Sequence, residues 1–155
     1  MPLLRAALSW NFVLATAICA SLLAQLIKVL LNLFIFHRFI AERMWGAGGM
    51  PSSHSATVCA MVVDTGRYCG VNSPIFAIAA VLSIIVMYDA MGVRYETGEQ
   101  AKVLNRMFTE WMDQGFEQFQ LPHGKKLKEM VGHTPIEVVT GAALGIVLGF
   151  AMPMM

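Results

Sequence analysis

Two apolar runs, Ala6 to roughly Phe36 and Ser73 to roughly Val93, are each long enough to cross the hydrocarbon core of a bilayer, and nothing else in the chain restricts its fold as strongly. A third, Pro135 to Met155, also qualifies. In lipid every backbone N–H and C=O must be paired within the protein, so each run must be a helix. The composition agrees, with 57% of the 155 residues hydrophobic, 14% charged and a mean hydropathy of +0.61. The run from Ala56 to Val63 is shorter and soon meets Asp64 and Arg67, which reads as a partial span or one that begins inside the membrane. The expectation is a single all-α domain over residues 1–155: an integral membrane helical bundle of about four membrane helices, plus an amphipathic interfacial helix.

Arg5 followed by an apolar run and small residues around Ala17 to Ser21 resembles a cleaved signal. The apolar pattern continues through Leu22, Leu23, Leu26, Ile27 and Leu30, however, which favours a retained span. Cys19, Cys59 and Cys69 lie in or beside apolar helices without metal-ligand spacing and read as small core hydrophobes. A net charge of +1, with no basic stripe among aromatics, argues against nucleic acid as a partner.

With four spans, the loop from about His37 to Ser53 and the long connection from about Arg94 to Thr134 share one side of the membrane. They carry Arg38, Arg43, Arg94, Lys102, Arg106, Lys125, Lys126 and Lys128, against Arg5 and Arg67 opposite, so the positive-inside rule places both in the cytoplasm of a cell-membrane protein. Within the long connection Val103, Leu104, Met107, Phe108, Trp111, Met112, Phe116 and Phe119 recur at helical spacing opposite Glu110, Asp113 and Glu117. This is the amphipathic helix, packed on the spans, lying in the headgroup layer or acting as a lid over a lipid headgroup. Pro122 and Gly124 end it, before a basic cluster of Lys125, Lys126 and Lys128 suited to anionic headgroups.

The chemistry concentrates where loops turn into helices. Gly48-Gly49-Met50-Pro51-Ser52-Ser53-His54-Ser55-Ala56 places hydroxyls and a histidine at a helix start, whose unpaired N–H groups and positive dipole end suit an anion. Gly132-His133-Thr134-Pro135-Ile136-Glu137-Val138 repeats the arrangement. Thr134, Pro135 and Glu137 form a capping pattern, and Glu137 is also one turn from His133. A carboxylate bonded to one imidazole nitrogen fixes the tautomer and leaves the other nitrogen free to attack.

Between the two motifs, Asp89 falls inside an apolar run and requires a partner, either Arg94 or a bound cation. Lys28 sits among leucines in the first span with Gln25 and Asn32 one turn to either side, so it either snorkels to the interface or faces inward toward an anion. Together Lys28, Arg94, Ser52, Ser53, His54 and His133 make a set suited to phosphoryl transfer. Cations and N–H groups hold the nonbridging oxygens, one histidine attacks and another protonates the leaving oxygen.

These residues resemble the divergent branch of the type-2 phosphatidic acid phosphatases, related to acid phosphatases and vanadium-dependent haloperoxidases. The resemblance runs through Gln25 to Lys28, the Gly-Gly-Met-Pro-Ser-Ser-His-Ser-Ala segment, Asp-Ala-Met-Gly-Val-Arg from Asp89, Gly-Glu-Gln-Ala from Gly98, and Gly-His-Thr-Pro-Ile-Glu-Val from Gly132. It implies His133 as nucleophile, His54 as general acid and Glu137 as the orienting carboxylate, with Lys28, Ser52, Ser53 and Arg94 binding the phosphate. Ser53 stands where the wider superfamily has glycine, Glu137 where it has aspartate, and Leu127 where it has an arginine, with Arg94, Lys126 or Lys128 as replacement cations. Arg38 is the nearest substitute for the missing arginine of the first superfamily motif.

The implied activity is a membrane lipid phosphatase without an obligatory cofactor, acting on phosphatidic acid, phosphatidylglycerol phosphate or a polyprenyl pyrophosphate. Two alternatives stay open. One is a non-catalytic lipid-phosphate binding or transport protein. The other is a metal-assisted phosphatase with magnesium or calcium on Asp89, Glu96 and Glu99. Gly141, Gly145 and Gly149 form a small-residue face for packing within the monomer or in a homo-oligomer.

Overall fold

The computed structural model describes residues 11–36, 49–115 and 125–154, and among them the chain is helical with no strand. The helices are α1 (Phe12–Phe36), α2 (Ser53–Cys69), α3 (Pro74–Met91), α4 (Val93–Asp113) and α5 (Pro135–Ala151). Two helices, α1 and the run beginning at Pro74, are long and apolar enough to span a membrane, and α5 is a shorter apolar helix.

Of α1, α2, α3 and α5, the most polar occupies the centre. α2 packs most extensively on α5, then on α1, then on α3, and its Ser, Thr, Asp and Arg side chains are thereby taken away from lipid. The outer helices turn their bulky residues outward instead. Leu22, Leu26 and Phe34 of α1, Ile78 and Ile84 of α3, and Val139, Val147 and Phe150 of α5 are all exposed, as expected of surfaces that meet acyl chains.

Small residues let the backbones approach. Ala20 and Ala24 of α1 meet Ala56 and Ala60 of α2 in the core. A side chain on Gly141 or Gly145 would run into the carbonyl oxygens of Ser52 and Ala56, and one on Gly149 would come within 2.7 Å of Val63 Cβ. The glycine face of α5 is therefore occupied by α2 of the same chain. Ser83 of α3 donates to the Val58 carbonyl oxygen of α2 at 3.1 Å and to its own Ala79 at 2.8 Å, adding a polar contact at that seam.

α2 runs further than its apolar portion suggests because its charged end is neutralised internally. Asp64 is fully buried, and Arg67 approaches it at 3.3 Å. Arg67 also donates to the Gly149 carbonyl and, at 2.9 Å, to that of Met152. Those carbonyls belong to the end of α5, where a cation is favoured by unpaired C=O groups and the negative end of the dipole. The guanidinium further lies 5.9 Å from the centre of the Phe12 ring, so one residue joins α1, α2 and α5.

The amphipathic helix begins at Val93, ten residues before its apolar periodicity starts, separated from α3 only by Gly92. It ends at Asp113, followed by Gly115 at φ 85°. Phe116, Phe119, Pro122 and Gly124 lie outside the described residues, as does Arg38. Val103, Leu104, Met107 and Met112 of the stripe are exposed, while Phe108 and Trp111 are half-buried. The buried face is a neighbouring one, Gly98, Ala101 and Asn105.

Candidate active site

Four structural pieces converge at one end of the bundle. α1 contributes Lys28, the turn before α2 contributes Gly49 to Ser52, the α3–α4 junction contributes Asp89 and Arg94, and the residues before α5 contribute His133. Lys28 continues the buried series Phe12, Thr16, Ala20, Ala24, one residue every turn along α1, and is only 4% exposed. It therefore faces inward. Gly49, at φ 87°, rests against its stem: a Cβ there would lie 3.4 Å from Lys28 Cδ.

Main-chain bonds fix the two histidine motifs relative to each other. The Ser52 N–H donates to the Glu137 carbonyl at 3.0 Å, and the His133 N–H donates to the Ala90 carbonyl of α3 at 2.9 Å. Ser52 is fully buried and serves as the N-cap of α2, its Oγ accepting from the Ser55 N–H at 3.3 Å and from the Ser55 hydroxyl at 3.0 Å. Ser53 follows as the first helical residue and is also buried.

His133 is 1% exposed, with Nδ1 3.2 Å from Glu137 Oε2. The same oxygen accepts the Thr134 N–H at 3.0 Å, so one carboxylate both caps α5 and holds the imidazole. With Nδ1–H donating to that anion, the lone pair is on Nε2. Among the described residues Nε2 is buried and has no hydrogen-bond partner. Burial, and then the charge of Lys28, push the His133 pKa below the ordinary histidine value, against the opposing pull of Glu137. Both effects favour the neutral ring. His54 is exposed on the open side, its ring centre 6.0 Å from that of His133 and inclined at 64°.

Arg94 engages Asp89 through Nε at 2.5 Å, with both side chains partly exposed, and lies within electrostatic range of His54 together with Lys28. This supplies the partner that Asp89 requires. Glu99 is paired with Lys102 at 2.6 Å, and Glu96 sits in the first turn of α4. Among the described residues no three His, Cys, Asp or Glu side chains come together as a metal site.

A cavity of about 130 Å³ opens at the residues flanking His133, lined in part by Gly49, Tyr95, Glu129, Gly132, Thr134 and Glu137. Its wall includes Glu129 and Met130, in a segment held by a residue of α4 that no sequence motif includes. Asn105 Oδ1 accepts the Leu127 N–H at 2.8 Å, while Nδ2 donates to the Leu127 carbonyl at 2.9 Å and to Glu129 Oε1 at 2.8 Å. Gly98, Ala101 and Asn105 are the buried residues of α4, and Gly98 and Asn105 meet this segment directly.

A profile of the Divergent PAP2 family matches residues 9–148, which takes in every element of this site. The chain belongs to the Divergent PAP2 family. It is similar to the uncharacterized membrane protein YuiD of Bacillus subtilis (strain 168), at 38% identity over 144 residues covering 89% of this chain and 91% of the relative. No solved structure matches the chain. For a Divergent PAP2 member, the helical bundle and its lipid-facing surface define an integral membrane protein.

Proposed function

We propose that the protein is a lipid phosphatase that hydrolyses a lipid phosphomonoester or a polyprenyl pyrophosphate through a phosphohistidine. The observation that carries this reading is His133: buried, held at Nδ1 by Glu137, with Nε2 unpartnered among the described residues and His54 6.0 Å away between ring centres. Nε2 attacks phosphorus, the P–O bond to the leaving group breaks, and His54 gives its proton to the departing oxygen. Water then attacks the phosphohistidine as His54 takes up a proton, releasing phosphate and free His133. Lys28 and Arg94 neutralise nonbridging oxygens as charge redistributes, with Ser52 and Ser53 at the helix start supporting them.

The mechanism requires no metal. The positive-inside pattern supports a site on the cytoplasmic side of the cell membrane. Phosphate release from a panel of phosphatidic acid, phosphatidylglycerol phosphate and polyprenyl pyrophosphate in detergent or nanodiscs, with His54→Ala and His133→Ala as controls, tests the proposal. One observation favours a second reading, non-catalytic lipid-phosphate binding: Leu127 stands at the superfamily arginine position and Arg94 is already engaged by Asp89. Saturable binding of these lipids with no phosphate release by the wild-type protein, with or without magnesium or calcium, selects it.

Two further results are expected. Glu137→Gln keeps the side-chain length but removes the anion that holds Nδ1–H, and should lower the rate by roughly 10²- to 10⁴-fold while the helical fold persists, as read by phosphate release alongside circular dichroism. The second concerns pH. His133 must be neutral to attack, and its pKa is lowered, so kcat/KM should fall with acidification only once pH drops below the ordinary histidine range. Lys28→Met removes a charge that contributes to that lowering, and should move this acidic limb to higher pH in addition to weakening substrate binding.

A further inference from the structure

The segment that delivers His133 has no secondary structure, yet it is fastened at closely spaced points. Asn105 treats Leu127 as a sheet neighbour would, accepting from its N–H and donating to its C=O, and adds the bond to Glu129. Further along, a side chain on Gly98 would collide with the Glu129 carbonyl, and one on Gly132 would collide with the backbone of Arg94 and Tyr95. These glycines let the segment lie directly on α4. The His133 N–H then closes the series on Ala90.

α4 thus carries Arg94 at one end and, three turns on, the side chain that clasps the approach to His133. Asn105 is 4% exposed, and the clasp uses its acceptor and both donor roles, which neither leucine nor aspartate reproduces. From this arrangement we infer that Asn105 is a positioning residue, which holds the 127–133 segment on α4 and so sets the His133 imidazole relative to Arg94 and His54. The inference rests on the phosphatase reading for its catalytic consequence but not for the clasp itself. Asn105 touches no reacting atom in this scheme; it acts through the main chain of Leu127 and the carboxylate of Glu129.

The isosteric variant separates this role from space filling. Asn105→Asp keeps the volume and one acceptor, loses both donated bonds, and sets a carboxylate against Glu129. It should reduce kcat by about 100-fold, the scale of a misplacement near 1 Å, with KM changed only a few-fold. Asn105→Asp combined with Glu129→Gln lets the new amide donate to the carboxylate introduced on α4, and should recover at least about tenfold of that loss. Exchange of the Leu127 amide with deuterium, followed in the full-length protein in nanodiscs, should accelerate in Asn105→Ala and Asn105→Asp and slow again in the double variant. Wild-type kcat in Asn105→Asp, or a double variant no better than the single one, overturns the positioning role. Unchanged Leu127 exchange in Asn105→Ala overturns the clasp. Absence of phosphate release from the wild-type protein rejects the phosphatase reading alone, because the exchange measurement still decides whether Asn105 holds the segment.

Discussion

His133→Ala is expected to take phosphate release to the assay floor, a loss of roughly 10⁴-fold or more, because no other described side chain duplicates a buried, carboxylate-held imidazole. The protein should still fold and insert, since the Glu137 carboxylate keeps the Thr134 N–H and the contacts between α2 and α5 do not involve the imidazole. His54→Ala should be less severe for a substrate whose leaving group needs little protonation. An aryl phosphate with an acidic phenol would therefore recover much of the His54→Ala deficit and none of the His133→Ala deficit. Equal rates in wild type and His133→Ala would remove the proposed nucleophile, and the acid-base roles with it.

The largest expected effect on stability lies at the other end of the bundle. Arg67→Met should destabilise the folded protein by about 3–5 kcal/mol, since it leaves the fully buried Asp64 without its cation and frees the last carbonyls of α5. In a thermal scan of detergent-solubilised protein this corresponds to a drop of about 10 °C in midpoint. Combining Arg67→Met with Asp64→Asn removes the stranded charge and should restore most of that loss. A single variant with an unchanged midpoint would show that the ion pair and its bonds to α5 contribute nothing net.

Much of the fold is legible in the sequence because lipid makes a simple demand: long apolar runs must be helices, and α1, α3 and α5 follow from that. The full reach of α2 is harder to read, because Asp64 and Arg67 resemble the charges that end a span and only their mutual burial shows otherwise. Lys28 is ambiguous for a similar reason. Snorkelling and inward orientation share one local pattern, and the burial of the i, i+4 series it belongs to decides between them.

At the site, His54, His133 and Glu137 are legible because capping residues mark helix starts and a cap does not require histidine. That one oxygen of Glu137 serves both the cap and the ring is visible only in three dimensions. The role of Asn105 is not legible, since its partners are chiefly main-chain atoms more than twenty residues away, and a backbone partner leaves no mark in the identity of the residue bonded. The early start of α4 is hidden likewise, its first turns being packed through glycine and alanine rather than through an apolar stripe.

The central position of α2 ties assembly to chemistry. The helix that opens with Ser52 and His54 also carries Asp64 and Arg67, each of a type that costs about 2.5–3.5 kcal/mol at the middle of an isolated membrane helix. α1, α3 and α5 have no comparable charge burden along their lipid-facing surfaces, whereas α2 becomes compatible with the bilayer only when those neighbours surround it. During biogenesis, then, α2 must wait for α5, the last helix described, before its Arg67 finds the carbonyls that neutralise it. That same closing step brings the Glu137 carbonyl to the Ser52 N–H, so the two halves of the histidine site meet only as the bundle becomes stable in lipid.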